Sequence, residues 1–201
     1  MTQIIEEASQ EKSLTTEIAI LFPKQGEWTE ADYFRLPETN RIVELSEGRL
    51  IITPSPTDRH QKVLGRLHLL FGNYVWNRKL GEIRISPMDV RLWKGKIRQP
   101  DIIFMSNDHL DRITEEFWDV PDLAIEILSE GTAKEDREVK YKEYQKAGVL
   151  EYWIVDPFKQ SIEIYILENG VYELFGKWGI GEIARSKLLD GLEVSIDDLM
   201  V

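Results

Sequence analysis

The stretch PDLAIEILSE, residues 121–130, sets a carboxylate inside an apolar run. Strand side chains alternate, so Ala124, Glu126 and Leu128 share one face while Ile125 and Ile127 share the other. Apolar residues on both faces mark a central strand covered on both sides, which demands layers above and below it. Glu126 then falls under a helix or in a cleft, where a buried carboxylate requires a partner. On an edge strand it would face water instead.

The surrounding pattern supplies those layers. TEADYFRLPE (29–38) reads as a short helix, with Thr29 as N-cap, Asp32 three residues on and Pro37 at its end. RIVELSEGRLIIT reads as a hairpin turning at Glu47-Gly48, followed by a PSPTD loop. From His60 to about Lys79, Val63, Leu64, Leu67, Leu70, Phe71, Tyr74 and Val75 recur at helical spacing and predict a long amphipathic helix. EIRISPMDVRLW and IRQPDIIFM read as strands joined by a tight turn at Gly95. A helix over 133–147, stopped by Gly148, precedes the strands EYWIVD and SIEIYILE, a further hairpin and a short acidic turn. The expectation is an α/β (mixed α+β) fold: one domain over 26–201 with a mixed central sheet flanked by helices, after a polar, mobile segment at 1–25.

A chain of 201 residues accommodates one substantial core. No apolar run approaches the length of about 20 residues that crosses a bilayer. MTQIIEEASQEK has no basic, then apolar, secretory pattern, and the chain has no cysteine, so a cytoplasmic setting is expected. The net charge of −11 counts against a module that binds nucleic acid by phosphate neutralisation alone. It counts less against an enzyme whose metal carries the positive charge.

QPDIIFM repeats the theme of Pro-Asp before an apolar strand. Pro100 lacks a ladder donor and suits a strand start, leaving Asp101 at the strand's mouth. On the 133–147 helix, residues at 100° intervals put Ala133, Arg137, Lys140, Tyr141, Tyr144 and Ala147 on one side, and Glu135, Glu138, Lys142, Gln145 and Lys146 on the other. Lys140 thus points toward the sheet that holds Glu126. Acids and a lysine around a cleft form a set used for phosphodiester hydrolysis. Carboxylates suit Mg²⁺, which lowers the pKa of a bound water, and a lysine offsets charge developing on phosphorus.

These residues lie in phrases that resemble the Uma-two family of restriction endonucleases, within the PD-(D/E)xK nuclease superfamily. The phrases are VELSEGRLIITPSPTDRHQ, PMDVRL, QPDIIFMS, PDLAIEILSEGT, DREVKYKEYQKAGVLEYWIVDP and IEIYIL, in order across roughly 28–198. The resemblance implies a restriction-endonuclease-like core and a Mg²⁺-dependent site, with Mn²⁺ as substitute. In it Asp101 and Glu126 are the two acids, Glu44 an upstream acid, and His60 matches a family histidine. One departure matters: the superfamily lysine belongs two residues after the second acid, where this chain has Leu128. The resemblance implies a variant whose lysine has moved to the following helix, at Lys140.

Each residue also has a plainer reading. Asp101 could be a strand-start acid, Glu44 a polar residue near a turn, His60 a structural hydrogen-bonder and Lys140 a snorkelling flank residue. Asp122 and Asp89 compete as ligands. In RLWKGKIR, Arg91, Lys94, Lys96 and Arg98 read either as a solvated hairpin tip or as a phosphate-gripping finger, with Trp93 as a stacking surface. The leading expectation is a metal-dependent endonuclease acting on DNA, with Glu44, Asp101 and Glu126 holding the metal and Lys140 positioning water. A homodimer is expected if both strands are cut. The rival is a catalytically silent nuclease fold kept as a binding or regulatory scaffold. A nucleotide hydrolase or serine esterase has no G-x-x-x-x-G-K-[ST] or G-x-S-x-G phrase to support it.

Overall fold

A computed structural model of the protein describes residues 22–37 and 41–201; the expected polar segment at 1–25 falls mostly outside the described residues. Helix α1 (Glu30–Tyr33) opens with the predicted capping box. The Thr29 side chain accepts from the Asp32 N–H, and the Asp32 carboxylate accepts from the Thr29 N–H at 3.1 Å. Strands β1 (Ile42–Ser46) and β2 (Arg49–Thr53) form the predicted hairpin, its turn built on positive φ at Glu47 (48°) and Gly48 (76°). Helix α2 (Asp58–Arg78) begins ahead of His60, because the Thr57 side chain caps the His60 N–H.

The next segment departs from the expected pair of continuous strands. Both runs break, giving β3 (Gly81–Ile85), β4 (Val90–Trp93), β5 (Lys96–Arg98) and β6 (Ile102–Ser106). β4 and β5 pair within a four-stranded sheet of order β2-β1-β5-β4, whereas β3 and β6 pair with each other in a six-stranded sheet. The breaks fall at Pro87 and Pro100, neither of which can donate to a ladder. One ribbon therefore bends from sheet to sheet, and the Ser86 N–H donates to the Asp101 carbonyl at 3.1 Å across the corner.

The six-stranded sheet is completed by β7 (Leu123–Ile127), β8 (Glu151–Asp156), β9 (Ser161–Glu168) and β10 (Val171–Trp178), in the order β10-β9-β8-β7-β6-β3. β7 runs parallel to β8 and antiparallel to β6, so the sheet is mixed, with the acid-bearing strand in its interior. Between β7 and β8 the 133–147 helix forms, but its first part is a π-helix (Glu135–Lys140) that runs into α3 (Tyr141–Ala147). Gly148, at φ 96°, ends it as predicted. A small sheet of β11 (Ile183–Arg185) and β12 (Glu193–Ser195) leads into α4 (Ile196–Met200).

Packing follows the predicted faces of β7. Ile125 and Ile127 join Leu67, Phe71, Val75 and Trp153 under α2, while Ala124 and Leu128 join Tyr144, Tyr152 and Ile154 under α3. Each such large side chain contributes about 1.5–3 kcal/mol relative to exposure. A third cluster of Trp28, Tyr33, Val43, Leu45 and Ile97 seats α1 on the four-stranded sheet. Among the described residues no helix is long and apolar enough to cross a membrane.

Candidate active site

The bend in the ribbon opens a cavity of about 740 Å³ between the two sheets, lined by Glu44, His60, Asp101, Glu126, Asp136 and Lys140 among others. Each comes from a different local cause. Glu44 sits in β1 and faces the sheet junction. Asp101 stands immediately before β6, where the ribbon enters the larger sheet. Glu126 is the interior acid of β7, and Lys140 reaches it from the π-helix above.

The lysine is the centre of the group. Its Nζ donates to Glu126 Oε1 at 2.9 Å and lies 3.2 Å from Asp136 Oδ1 and 3.8 Å from Glu44 Oε1. Tyr144 donates its hydroxyl to the same Glu126 oxygen at 2.6 Å. Burial works against the ammonium, but Glu126, Glu44 and Asp136 outweigh it and hold Lys140 well above the usual lysine range. Burial pushes Glu126 in the opposite sense, well above the usual carboxylate range, against the pull of Lys140. With three carboxylates facing one ammonium, the charged lysine is the state the geometry supports.

Glu44 and Asp101 are held by other means. Glu44 accepts from Arg98 Nη1 at 2.7 Å and from the Gln99 N–H at 2.9 Å. Burial raises its pKa, yet Lys140 and Arg98 win and lower it. Asp101 Oδ2 accepts from the Ile127 N–H at 2.7 Å and lies 3.1 Å from His60 Nε2. Burial lowers the His60 pKa, and the bond to Asp101 reverses that and raises it. His60 therefore fixes Asp101, and its Nδ1 has no hydrogen-bond partner among the described residues.

Asp136 is the site residue that sequence reasoning missed. It is 1% exposed, its Oδ1 has no hydrogen-bond partner among the described residues, and burial raises its pKa. The wheel at 100° per residue left it off the inward face. In the π-helix the Tyr141 N–H reaches back to the Asp136 carbonyl, one residue further than in an α-helix, and the wider turn rotates Asp136 inward. Arg137, expected inward beside Lys140, points instead to Glu163 (2.7 Å) and Asp156 (3.5 Å). Glu135, expected on the solvent face, accepts from Arg98 at 3.0 Å.

The expected basic finger is corrected in part. Arg98 is 1% exposed and bound to Glu44, Glu143 and Glu135, and Lys96 is 3% exposed and bound to Glu143 and Ser46. Both stitch the four-stranded sheet to the helix and face no solvent. Arg91 pairs with Asp119 and covers Phe117, which leaves Lys94 as the exposed cation of the four. The competing acids also fall elsewhere. The Asp122 carboxylate accepts from the Ser106 N–H at 2.7 Å and contacts His109 Nδ1 at 2.6 Å. Asp89 accepts from the Tyr33 hydroxyl and from Gln99 Nε2. Neither lines the cavity.

A mixed sheet carrying Pro-Asp and a central-strand acid, capped by a helix that supplies the lysine, defines a restriction-endonuclease-like fold. The chain belongs to the Uma2 family, described as "Putative restriction endonuclease", whose model matches residues 30–197. It is similar to a crystal structure of "a putative nuclease belonging to DUF820" from Anabaena variabilis ATCC 29413, with a TM-score of 0.71 and 21% identity. That match covers 86% of this chain and 97% of the other, and at this identity it establishes the fold. No curated protein matches the chain.

Proposed function

We propose that the protein is a Mg²⁺-dependent endonuclease that hydrolyses phosphodiester bonds in DNA, with Mn²⁺ as substitute metal. The observation that carries this is the gathering of Glu44, Glu126 and Asp136 around one lysine, with Asp101 lining the same cavity. The oxygen-only acid set suits a hard cation, and Asp136 Oδ1 makes no hydrogen bond among the described residues beside its 3.2 Å ion pair with Lys140. Asp101, Glu126 and Glu44, joined by Asp136, would hold the ion, which when bound lowers the pKa of a water and offsets charge on phosphorus. His60 and the Ile127 N–H engage Oδ2 of Asp101, so Oδ1 is the atom that would meet an ion. Lys140, kept charged by its carboxylates, cannot take a proton from water at neutral pH. It serves as a hydrogen-bond donor to the attacking water or to the extra negative charge on the phosphate.

The test is nicking of plasmid DNA by purified protein with Mg²⁺ or Mn²⁺. Cleavage lost in Asp101→Ala and Glu126→Ala supports the reading; a clean preparation that never nicks DNA and binds no divalent ion overturns it.

A second reading, a catalytically silent scaffold, has one observation in its favour. Lys140 occupies the space among the acids, and among the described residues no three His, Asp or Glu side chains stand ready as a metal site. Calorimetric titration with Mg²⁺ separates the two, since the scaffold requires no heat that disappears in those variants.

A further inference from the structure

The cavity has an unusual balance for a nucleic-acid site. Its lining includes seven acids, and its permanent cations are Arg59 and Lys140. Lys140 is buried among the carboxylates, so Arg59 alone is free to meet a phosphate away from the reacting one. Lys96 and Arg98, next along the ribbon, are consumed by internal pairs. A duplex held through both backbones needs a track of such cations, because phosphate neutralisation supplies most of its affinity. Among the described residues that line it, this cleft lacks the track.

What the cleft does offer is apolar and aromatic. Ile42 and Ile51, which share the Glu44 face of the hairpin, line it together with Pro54 and Phe158. Phe158 is 47% exposed. Asp156 Oδ1 accepts from the Phe158 and Lys159 N–H groups at 3.1 and 3.0 Å, which holds the turn that presents the ring. The Arg59 guanidinium sits 4.8 Å from the ring centroid, so a flat aromatic face and a cation share the rim. Every base has a π-face, and stacking on such a ring requires that the base be unpaired. A cavity of about 740 Å³ is also of a size that takes a nucleotide.

We infer that the site takes single-stranded DNA, gripped through its bases by Phe158 and the isoleucine wall, with Arg59 on a neighbouring phosphate. This rests on the nuclease reading above and narrows its substrate.

The test is fluorescence anisotropy with a labelled single-stranded oligonucleotide and its duplex, using the full chain with Ca²⁺ in place of Mg²⁺. The single strand should bind at least about tenfold more tightly, with a shallow salt dependence of about one or two phosphates. Phe158→Ala and Ile51→Ala should erase that preference, and circular dichroism should show both folded. Equal or tighter duplex binding, or variants that weaken both probes alike, overturns the inference. The nuclease reading then stands or falls separately, on Asp101-dependent cleavage. Single-strand preference without any cleavage keeps the binding inference and removes the nuclease. A protein that neither binds nor cuts removes both.

Discussion

Lys140 Nζ lies 2.9 Å from Glu126 Oε1, joining a helix to the central strand beneath it across 14 residues of chain. Removing the ammonium leaves Glu44, Glu126 and Asp136 facing one another in a buried space. Lys140→Met should therefore cost about 3–5 kcal/mol, the usual result of leaving buried charge uncompensated. It should also lower cleavage about 10²–10³-fold. Mg²⁺ should raise the melting temperature of this variant more than that of the wild type, because the ion replaces the missing charge. Thermal melts with and without Mg²⁺ measure it, and an equal shift in both proteins contradicts the proposed metal position.

Asp136→Asn alters a carboxylate whose Oδ1 makes no hydrogen bond among the described residues. The Tyr152 hydroxyl bonds the Asp136 backbone carbonyl and is untouched. The substitution also removes the charge 3.2 Å from the buried Lys140 Nζ, so stability should fall by about 1–3 kcal/mol, while the calorimetric heat of Mg²⁺ binding falls. Unaltered Mg²⁺ affinity would remove Asp136 from the ligand set.

Arg98 holds Glu44 and Glu143 from a fully buried position. Arg98→Met should destabilise the fold by about 3–5 kcal/mol in urea denaturation. Arg98→Lys, which cannot reproduce the fork, should recover only part of that loss. By contrast, Lys94→Ala at the exposed hairpin tip should leave stability within about 0.5 kcal/mol.

Glu163 supplies a pH signature away from the cavity. Burial raises its pKa, but Arg137, Lys177 and Tyr165 outweigh burial and bring it down to about 2. A folded-state pKa below the unfolded one contributes stability above the unfolded value and loses it as pH falls toward the folded value. Glu163→Gln should thus cost about 1–2 kcal/mol at neutral pH, after allowance for solvent screening, and the gap should close between about pH 5 and pH 2. Urea denaturation of both proteins over that range reads it. A gap that persists at the acid end would mean the loss is packing, not charge.

Glu126 was legible in the sequence because a carboxylate interrupting an apolar run is conspicuous, and period-two alternation fixed its face. Lys140 followed from helical spacing, and the hairpin and capping box followed from Gly48, Thr29 and Asp32. Asp136 was hidden because a π-turn changes the angle per residue, and composition carries no mark of it. The fate of Lys96 and Arg98 was hidden for another reason. Whether a cation faces water depends on acids such as Glu44 and Glu143 that are distant in the chain. The sheet-to-sheet bend did leave a signal at Pro87 and Pro100, which a strict reading of missing ladder donors would have caught.

Because one bent ribbon serves both sheets, Glu44 rides on one of them and Glu126 on the other. The gap between these oxygens is therefore the opening of a caliper whose jaws are the two sheets. The Arg98–Glu143 link acts as its set-screw, since it ties the smaller jaw to the helix over the larger one. Any force that tilts the hairpin reads out directly as a change in the separation of these two carboxylates.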